Sequence, residues 1–345
     1  MIEHYWYESL GNRHVHLNWL RETDWDGGYH KIPQSHFDLF VYDTMFTDYY
    51  ISQGWLCQLN SHEITHLDEI HSNLLSSISY NGNYYGIPIY GCIYVLFYRS
   101  TDQEMASVKN FDQLIQLAKK REFVMRKPSR TLKTLTYLKL LEDNQRFHQV
   151  TEENLNRCLI NRLCTFYRYS KYLLDKTDRY SFDHSSFYIG FTEDLNTILV
   201  VNDEDLSQID LMFVPTNSED QTHCWLDCVG IHSQTKSRQT YEKSLELANL
   251  MSCSTVMNEC LEGQFYVIPT NRVTLSHLAR KNNIYAKLET LIQSSLFCPS
   301  SSLPSFIDSS ISIEDQWTTT MAAVITQHEK SFRPITIETE TTTIE

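Results

Sequence analysis

Short apolar runs alternating with longer amphipathic stretches constrain this chain more than any other feature. At strand length the runs are 15–20 (VHLNWL), 38–43 (DLFVYD), 92–99 (CIYVLFYR), 187–192 (FYIGFT), 211–215 (LMFVP) and 224–231 (CWLDCVGI). Between them, Phe111, Leu114, Ile115 and Ala118 share one face of a helix expected over 111–121. Further helices are expected at 44–53, 131–143, 151–164, 239–253 and 311–328. Strands separated by helices predict an α/β architecture with largely parallel pairing. Asn-Gly-Asn within Tyr80 to Tyr85 reads as a hairpin turn between two short extended pieces.

At 345 residues, 41% of them apolar, the chain is long enough for two domains and for a cleft between them. Acidic side chains outnumber basic ones 43 to 29, a net charge of −14 that repels a phosphate backbone and tolerates a cationic small molecule. Nucleic acid is therefore not an expected partner. Nine cysteines are too sparse and irregular for a disulfide framework. The closest pairs, Cys158 with Cys164 and Cys224 with Cys228, lack the two-residue gap of a zinc knuckle or redox motif. The opening MIEHYWYESL has neither a basic stretch nor a continuous apolar one, so no signal peptide is read there. No run is long enough to suggest a membrane span, which leaves localisation open. The Ser-rich stretch from Ser300 and the closing ITIETETTTIE read as a disordered or loosely attached extension.

One motif invites a metal. NSHEITHLDEIH holds His62-Glu63-x-x-His66, which on a continuous helix would present two imidazoles to zinc with Glu63 as base. Asn60 and Ser61 read instead as an N-cap immediately before His62, and neither Glu69 nor His71 has the expected spacing of a third ligand. The alternative is a surface helix start that carries histidines, and it is preferred.

Three blocks carry a family resemblance: WDGGY at 25–29, FDLFVYDTMFTDYYISQGWL at 37–56, and YNGNYYGIPIYGCIYVLFYR at 80–99. They resemble the thiaminase I (thiamine pyridinylase) family in a Trp-Asp-x-x-Tyr, a strand ending in Asp before a helix, and a Tyr-Gly-hydrophobic-Pro approach to a cysteine that opens the next strand. The similarity continues through FYIGFTEDL (187–195), WLD (225–227), YEKSLELANLM (241–251) and QFYVIPTN (264–271). The resemblance implies a two-domain periplasmic-binding-protein-like fold of type 2, each domain a mixed sheet flanked by helices. It places a discontinuous first domain at 1–94 plus 228–310, a second at 95–227, and a C-terminal helix and tail at 311–345.

Within that resemblance Cys92 is the expected nucleophile. Pro88 stiffens the chain before it and Gly91 removes a side chain beside it. Without the surrounding blocks, an inert cysteine buried in an apolar strand would be the preferred reading of Cys92. A thiolate is the reactive form, so a base is required, and the resemblance assigns it to Glu193 in the setting Gly190-Phe191-Thr192-Glu193. Glu193 follows an apolar strand, where α/β proteins place ligand groups; a first-turn helix acid is the alternative. Asp43, at the end of DLFVYD, is a ligand-facing carboxylate or an N-cap. The resemblance gives Asp43 and Asp227 to the aminopyrimidine of thiamine, and Tyr29 and Trp225 to flat walls that suit a cationic heteroaromatic. For each aromatic taken alone, core packing is the preferred reading.

The sequence also departs from the family. Only about 24 residues precede Trp25, which leaves out the family's first strand; Asn73 stands where an acid is expected, and Phe191 and Trp225 replace tyrosines. The implied reaction is base exchange by covalent cysteine catalysis on thiamine, with an amine or thiol as second nucleophile, no metal or organic cofactor, and a monomeric chain. Two other readings stay open: a non-catalytic solute-binding protein for a thiamine-like or other small ligand, and zinc hydrolysis through His62 and His66.

Overall fold

The computed structural model describes residues 1–19, 37–121, 123–126, 157–173, 187–195, 206–215, 222–262, 266–294 and 296–297. Tyr29, the helices expected at 131–143 and 311–328, and the tail lie outside the described residues.

The longest described strand, β4 of Ile87–Arg99, organises the sheet, and every residue from Ile93 to Tyr98 is buried. Both of its faces are covered there, so this stretch of sequence is unbroken apolar. Around β4 run β1 (Leu39–Asp43), β5 (Phe123–Arg126), β6 (Ser170–Leu173), β7 (Phe187–Phe191), β8 (Ile209–Phe213) and β9 (Thr222–Ile231). The sheet follows the order β1-β9-β4-β7-β5-β6, and β8 also pairs with β4. Two short strands complete it: β10 (Ile268–Pro269) on β4 and β11 (Leu296–Phe297) on β9. The hairpin expected near residue 80 forms from β2 (Ser79–Tyr80) and β3 (Asn83–Tyr84). Its two turn residues, Asn81 and Gly82, take φ of 50° and 79°, the left-handed geometry that suits a two-residue hairpin loop.

Pairing is mixed, not largely parallel. β4 is antiparallel to β7, β8, β9 and β10, and β1 is antiparallel to β9. Parallel pairs are β5 with β6, β5 with β7 and β11 with β9. The expectation failed because a central antiparallel strand buried on both faces gives the same continuous apolar run as a parallel one. The strand expected at 15–20 is absent from residues 15–19. There Leu17 N–H donates to the Tyr7 hydroxyl and the Val15 carbonyl accepts from the Trp6 indole. Val15 and Leu17 instead pack around buried Trp6 with Leu247 and Leu250.

Helices cover the sheet where the sequence period says they should. Thr47–Ser52 (α1) follows β1 after a tight turn, and Phe111–Ala118 (α2) buries Phe111, Leu114, Ile115 and Ala118. Asn110 caps α2 by accepting from Gln113 N–H at 3.0 Å. Arg157–Arg168 (α3) brings Phe166 within 4.9 Å of Phe111 and 4.8 Å of Phe123, and Phe123 stacks on Phe187 at 4.8 Å. Such ring pairs add about 0.5–1.5 kcal/mol each beyond their burial and lock two helices to β5 and β7. Tyr241–Ser252 (α4) forms as expected, and three helices that were not anticipated follow: Ser254–Leu261 (α5), Arg272–Lys281 (α6) and Asn283–Ser294 (α7). Asn271 caps α6 by accepting from Val273 and Thr274, and Asn282 accepts from Ile284 at the start of α7.

Candidate active site

The site is built on an irregularity in β4. Ile87 and Pro88 pair with Val229 and Cys228, but the next pairing is Tyr90 with Asp227, so Ile89 is one residue too many on its strand. Such a bulge re-aims everything after it. Had β4 kept its first register, Cys92 would pair with Cys224; with the extra residue it pairs with Trp225. Thr270, fully buried, holds the bulge, its hydroxyl within 2.8 Å of the Pro88 carbonyl and 3.0 Å of the Ile89 carbonyl. Gly91 lets the strands close up: a Cβ there would lie 2.5 Å from the Trp225 carbonyl oxygen and 2.6 Å from Leu226 Cδ2.

Directly paired antiparallel residues share a face of the sheet. Asp43 pairs with Asp227, Asp227 with Tyr90, Trp225 with Cys92, and Tyr94 with Phe191. One face therefore carries Asp43, Asp227, Tyr90, Trp225, Cys92, Tyr94 and Phe191. Glu193 lies in the turn that follows β7, where Thr192 N–H donates to the Ile93 carbonyl, and it is close enough for its charge to act on the Cys92 thiol. Cys92 is sixth in its strand rather than its opening residue, and Asp227 sits mid-strand in β9.

Four of the expected residues, Cys92, Asp43, Trp225 and Asp227, are thus gathered on one face, with Glu193 at its edge. Trp225 is buried to 8% exposure, its ring edge-on to Phe191 at 5.2 Å, so it forms a packed wall with Phe191. Glu193 is exposed, and Cys92, Asp43, Tyr90 and Asp227 are half-buried. Tyr90 and Tyr94 were missed as site residues, although a period-two count on either side of Cys92 finds both. Asp43 closes β1; the helix that follows, α1, has Phe46 at its N-cap position.

The electrostatics follow from this crowding. Burial pushes the Cys92 thiol well above its ordinary value, and the nearby Glu193, Asp227, Asp43 and Asp194 push it further. Asp227 is raised to about 6 by burial and then by Glu193. Tyr90 is raised to about 12, first by burial and then by Asp227 and Glu193. A thiol in this field keeps its proton until a base or a positive charge acts on it.

The His62 motif does not form a zinc helix. Ser61–Glu63 and Leu67–Glu69 are separate tight turns, with Ile64 extended after the first. Glu63 is engaged in a capping box with Asn60 and accepts from the Tyr241 hydroxyl at 2.6 Å. Burial pushes Glu63 up, but these hydrogen bonds outweigh it and hold the carboxyl below its usual value. Among the described residues no group of three or more His, Cys, Asp or Glu is arranged to hold a metal, and no helix is long and apolar enough to cross a membrane.

No protein-family model matches the chain. It is 25% identical to Thiaminase-1 of Paenibacillus thiaminolyticus over 313 aligned positions, covering 79% of this chain and 73% of that protein. Among solved structures, Clostridium botulinum thiaminase I in complex with thiamin superposes with a TM-score of 0.78 at 21% identity, covering 95% of this chain and 94% of the other. Thiaminase I from Bacillus thiaminolyticus gives 0.75 at 20% identity, with the same shares covered. An ABC-transporter solute-binding protein from Thermotoga lettingae, bound with α-D-tagatose, gives 0.61 at 16% identity over 85% and 82%. The fold is that of thiaminase I and of solute-binding proteins.

Proposed function

We propose that this chain, a homologue of thiaminase I in sequence and fold, cleaves thiamine by exchanging its thiazole for another nucleophile. The observation that carries the reading is the register that sets Cys92 among Trp225, Asp227 and Asp43 on one face of the sheet, with Glu193 in the turn after β7 near enough to act on the thiol. Glu193 takes the thiol proton, and the Cys92 thiolate adds to the electron-poor pyrimidine ring. The bond from the methylene carbon to the thiazole nitrogen then breaks, and the thiazole leaves neutral. An amine or thiol attacks the methylene carbon; as Cys92 is expelled and the ring restored, Glu193 returns the thiol proton to the sulfur and is then free to take the proton that the amine or thiol loses. Dividing one substitution into addition and displacement is what a covalent nucleophile contributes. Asp227 and Asp43 would accept from the aminopyrimidine, with Trp225 as a flat wall.

Substrate charge fits the electrostatics. Carboxylates hold the proton on Cys92, and thiamine's positive ring offsets them when it arrives. Activation of the sulfur is thereby tied to occupation by a cation. The two-domain division at 1–94 plus 228–310 and 95–227 belongs to the same reading, supported by β4 and β9, which each run across a boundary.

A solute-binding role is the second reading, favoured by the shared fold of the tagatose-bound protein. Incubation with thiamine and an aromatic amine separates the two. Release of free thiazole by the wild type and not by Cys92→Ser is the expected result; thiamine left intact by the wild type leaves binding alone.

A further inference from the structure

Behind the candidate base lies a second carboxylate that the reaction above does not use. Asp194 is buried to 8% exposure, and its Oδ2 accepts from Phe191 N–H at 2.9 Å and from the Tyr188 hydroxyl at 3.1 Å. Tyr188 and Gly190 lie on the face of β7 opposite Phe191, because side chains alternate along a strand. Gly190 leaves the space that the carboxylate fills: a Cβ there would lie 2.3 Å from Asp194 Oδ2 and 2.5 Å from the Tyr188 ring. Of two adjacent acids, Asp194 is thus tied down behind the sheet and Glu193 is exposed.

We infer that Asp194 is a positioning residue for Glu193: fastened to β7 on the rear face, its carboxylate fixes the turn that delivers Glu193 beside Cys92. The inference rests on the proposed role of Glu193 as the base of Cys92. Thr192 N–H on the Ile93 carbonyl fixes the start of that turn, and Asp194 fixes its end, so Glu193 is the one residue between two anchors. Neither anchor touches the reacting atoms. Without the rear anchor the turn loses its tie to β7 and is closed beyond Glu193 by the Leu195 N–H on the Thr192 carbonyl, and displacement by about 1 Å can lower a rate by roughly 100-fold.

The decisive experiment needs no turnover. Alkylation of Cys92 by iodoacetamide is followed against pH in the full chain, by mass spectrometry of the Cys92 peptide, in Asp194→Asn and Asp194→Ala backgrounds, each with and without Glu193→Gln. Both backgrounds remove the same charge, but only asparagine keeps an oxygen for Phe191 N–H and Tyr188. Glu193→Gln is expected to lower the pH midpoint by about one unit in the asparagine background, because a nearby anion is lost, and by less than about 0.3 units in the alanine background. Equal shifts in both backgrounds, or none in either, overturn the inference. Should Asp194→Ala not fold, Tyr188→Phe takes its place: the Glu193→Gln shift is expected to shrink relative to wild type, and an undiminished shift overturns it.

Turnover gives a second readout. Asp194→Ala is expected to lose about 100-fold in kcat with KM for thiamine within about threefold, and Asp194→Asn to recover most of the loss. A loss confined to KM, or no rescue by asparagine, counts against positioning. Wild type that leaves thiamine intact refutes the proposed function, while the alkylation cycle still decides the role of Asp194.

Discussion

Cys92 on β4 and Trp225 on β9 are direct cross-strand partners only because Ile89 is one residue more than its strand needs. The bulge turns the thiol toward the face that carries Asp227 and Asp43, and away from Cys224. Its geometry depends on Thr270, whose hydroxyl meets two successive carbonyls.

Thr270→Val keeps the shape of that side chain and removes the hydroxyl. The Ile89 carbonyl retains the Thr270 backbone N–H, whereas the Pro88 carbonyl loses the hydroxyl. A stability loss of about 1–2 kcal/mol is expected in chemical denaturation. Turnover of thiamine should fall more than affinity for it, since the bulge aims the sulfur. Equal turnover in variant and wild type would show that the bulge does not depend on Thr270.

Asp227 carries a cost that shows in a pH series. Its folded value, about 6, lies above its ordinary 3.8, so the unfolded chain ionises first as pH rises. Stability from this group is present below about pH 4 and is lost between there and pH 6, to the extent of about 3 kcal/mol at most. Asp227→Asn is therefore expected to be more stable than wild type at pH 7, indistinguishable at pH 3.5, and poor in thiamine turnover. Thermal melting across that range checks the sign, and a variant less stable at pH 7 contradicts it.

Gly91→Ala tests the close approach of β4 and β9. The added methyl meets backbone at the Trp225 carbonyl, which cannot swing away as a side chain could. A loss of about 1–3 kcal/mol is expected, as for other overpacked cores. Activity should drop with it, because the strands part beside Cys92. Full stability would mean that the strands have room to spare.

Metal chemistry is tested at the histidine motif. His62→Ala, paired with prolonged chelation of the wild type, is expected to leave thiamine turnover unchanged, since Glu63 is engaged by Asn60 and Tyr241. Elemental analysis showing stoichiometric zinc, with loss of activity on its removal, would reverse this conclusion.

Much of this architecture was legible in the residues. The helix over Phe111–Ala118 follows from its spacing, the Asn81-Gly82 hairpin from its turn chemistry, and the strands near 39, 92, 187, 209 and 224 from their apolar runs. What a run cannot state is its partner: β4 and β9 look like parallel strands because both faces are buried, and only the pairing reveals otherwise. The segment at 15–19 has the right alternation but serves Trp6. Candidate site residues came through resemblance, whereas their shared face depends on Ile89, and no residue type marks a bulge of this kind. Asp194 was invisible for a similar reason, since its partners lie on the far side of the strand before it.

The place of Cys92 within a strand flanked on both sides has a kinetic consequence. In the proposed reaction the pairing of Cys92 with Trp225, and the contacts of its neighbours Gly91 and Ile93 on the other edge, would keep its backbone still, so the sulfur would act as a stationary post through both halves of a displacement. Any travel the reaction demands falls to the ligand and to the bend at Thr192 and Glu193. Amide exchange should therefore be slow at Ile93 and distinctly faster at Glu193, with occupancy of the face altering the second far more than the first.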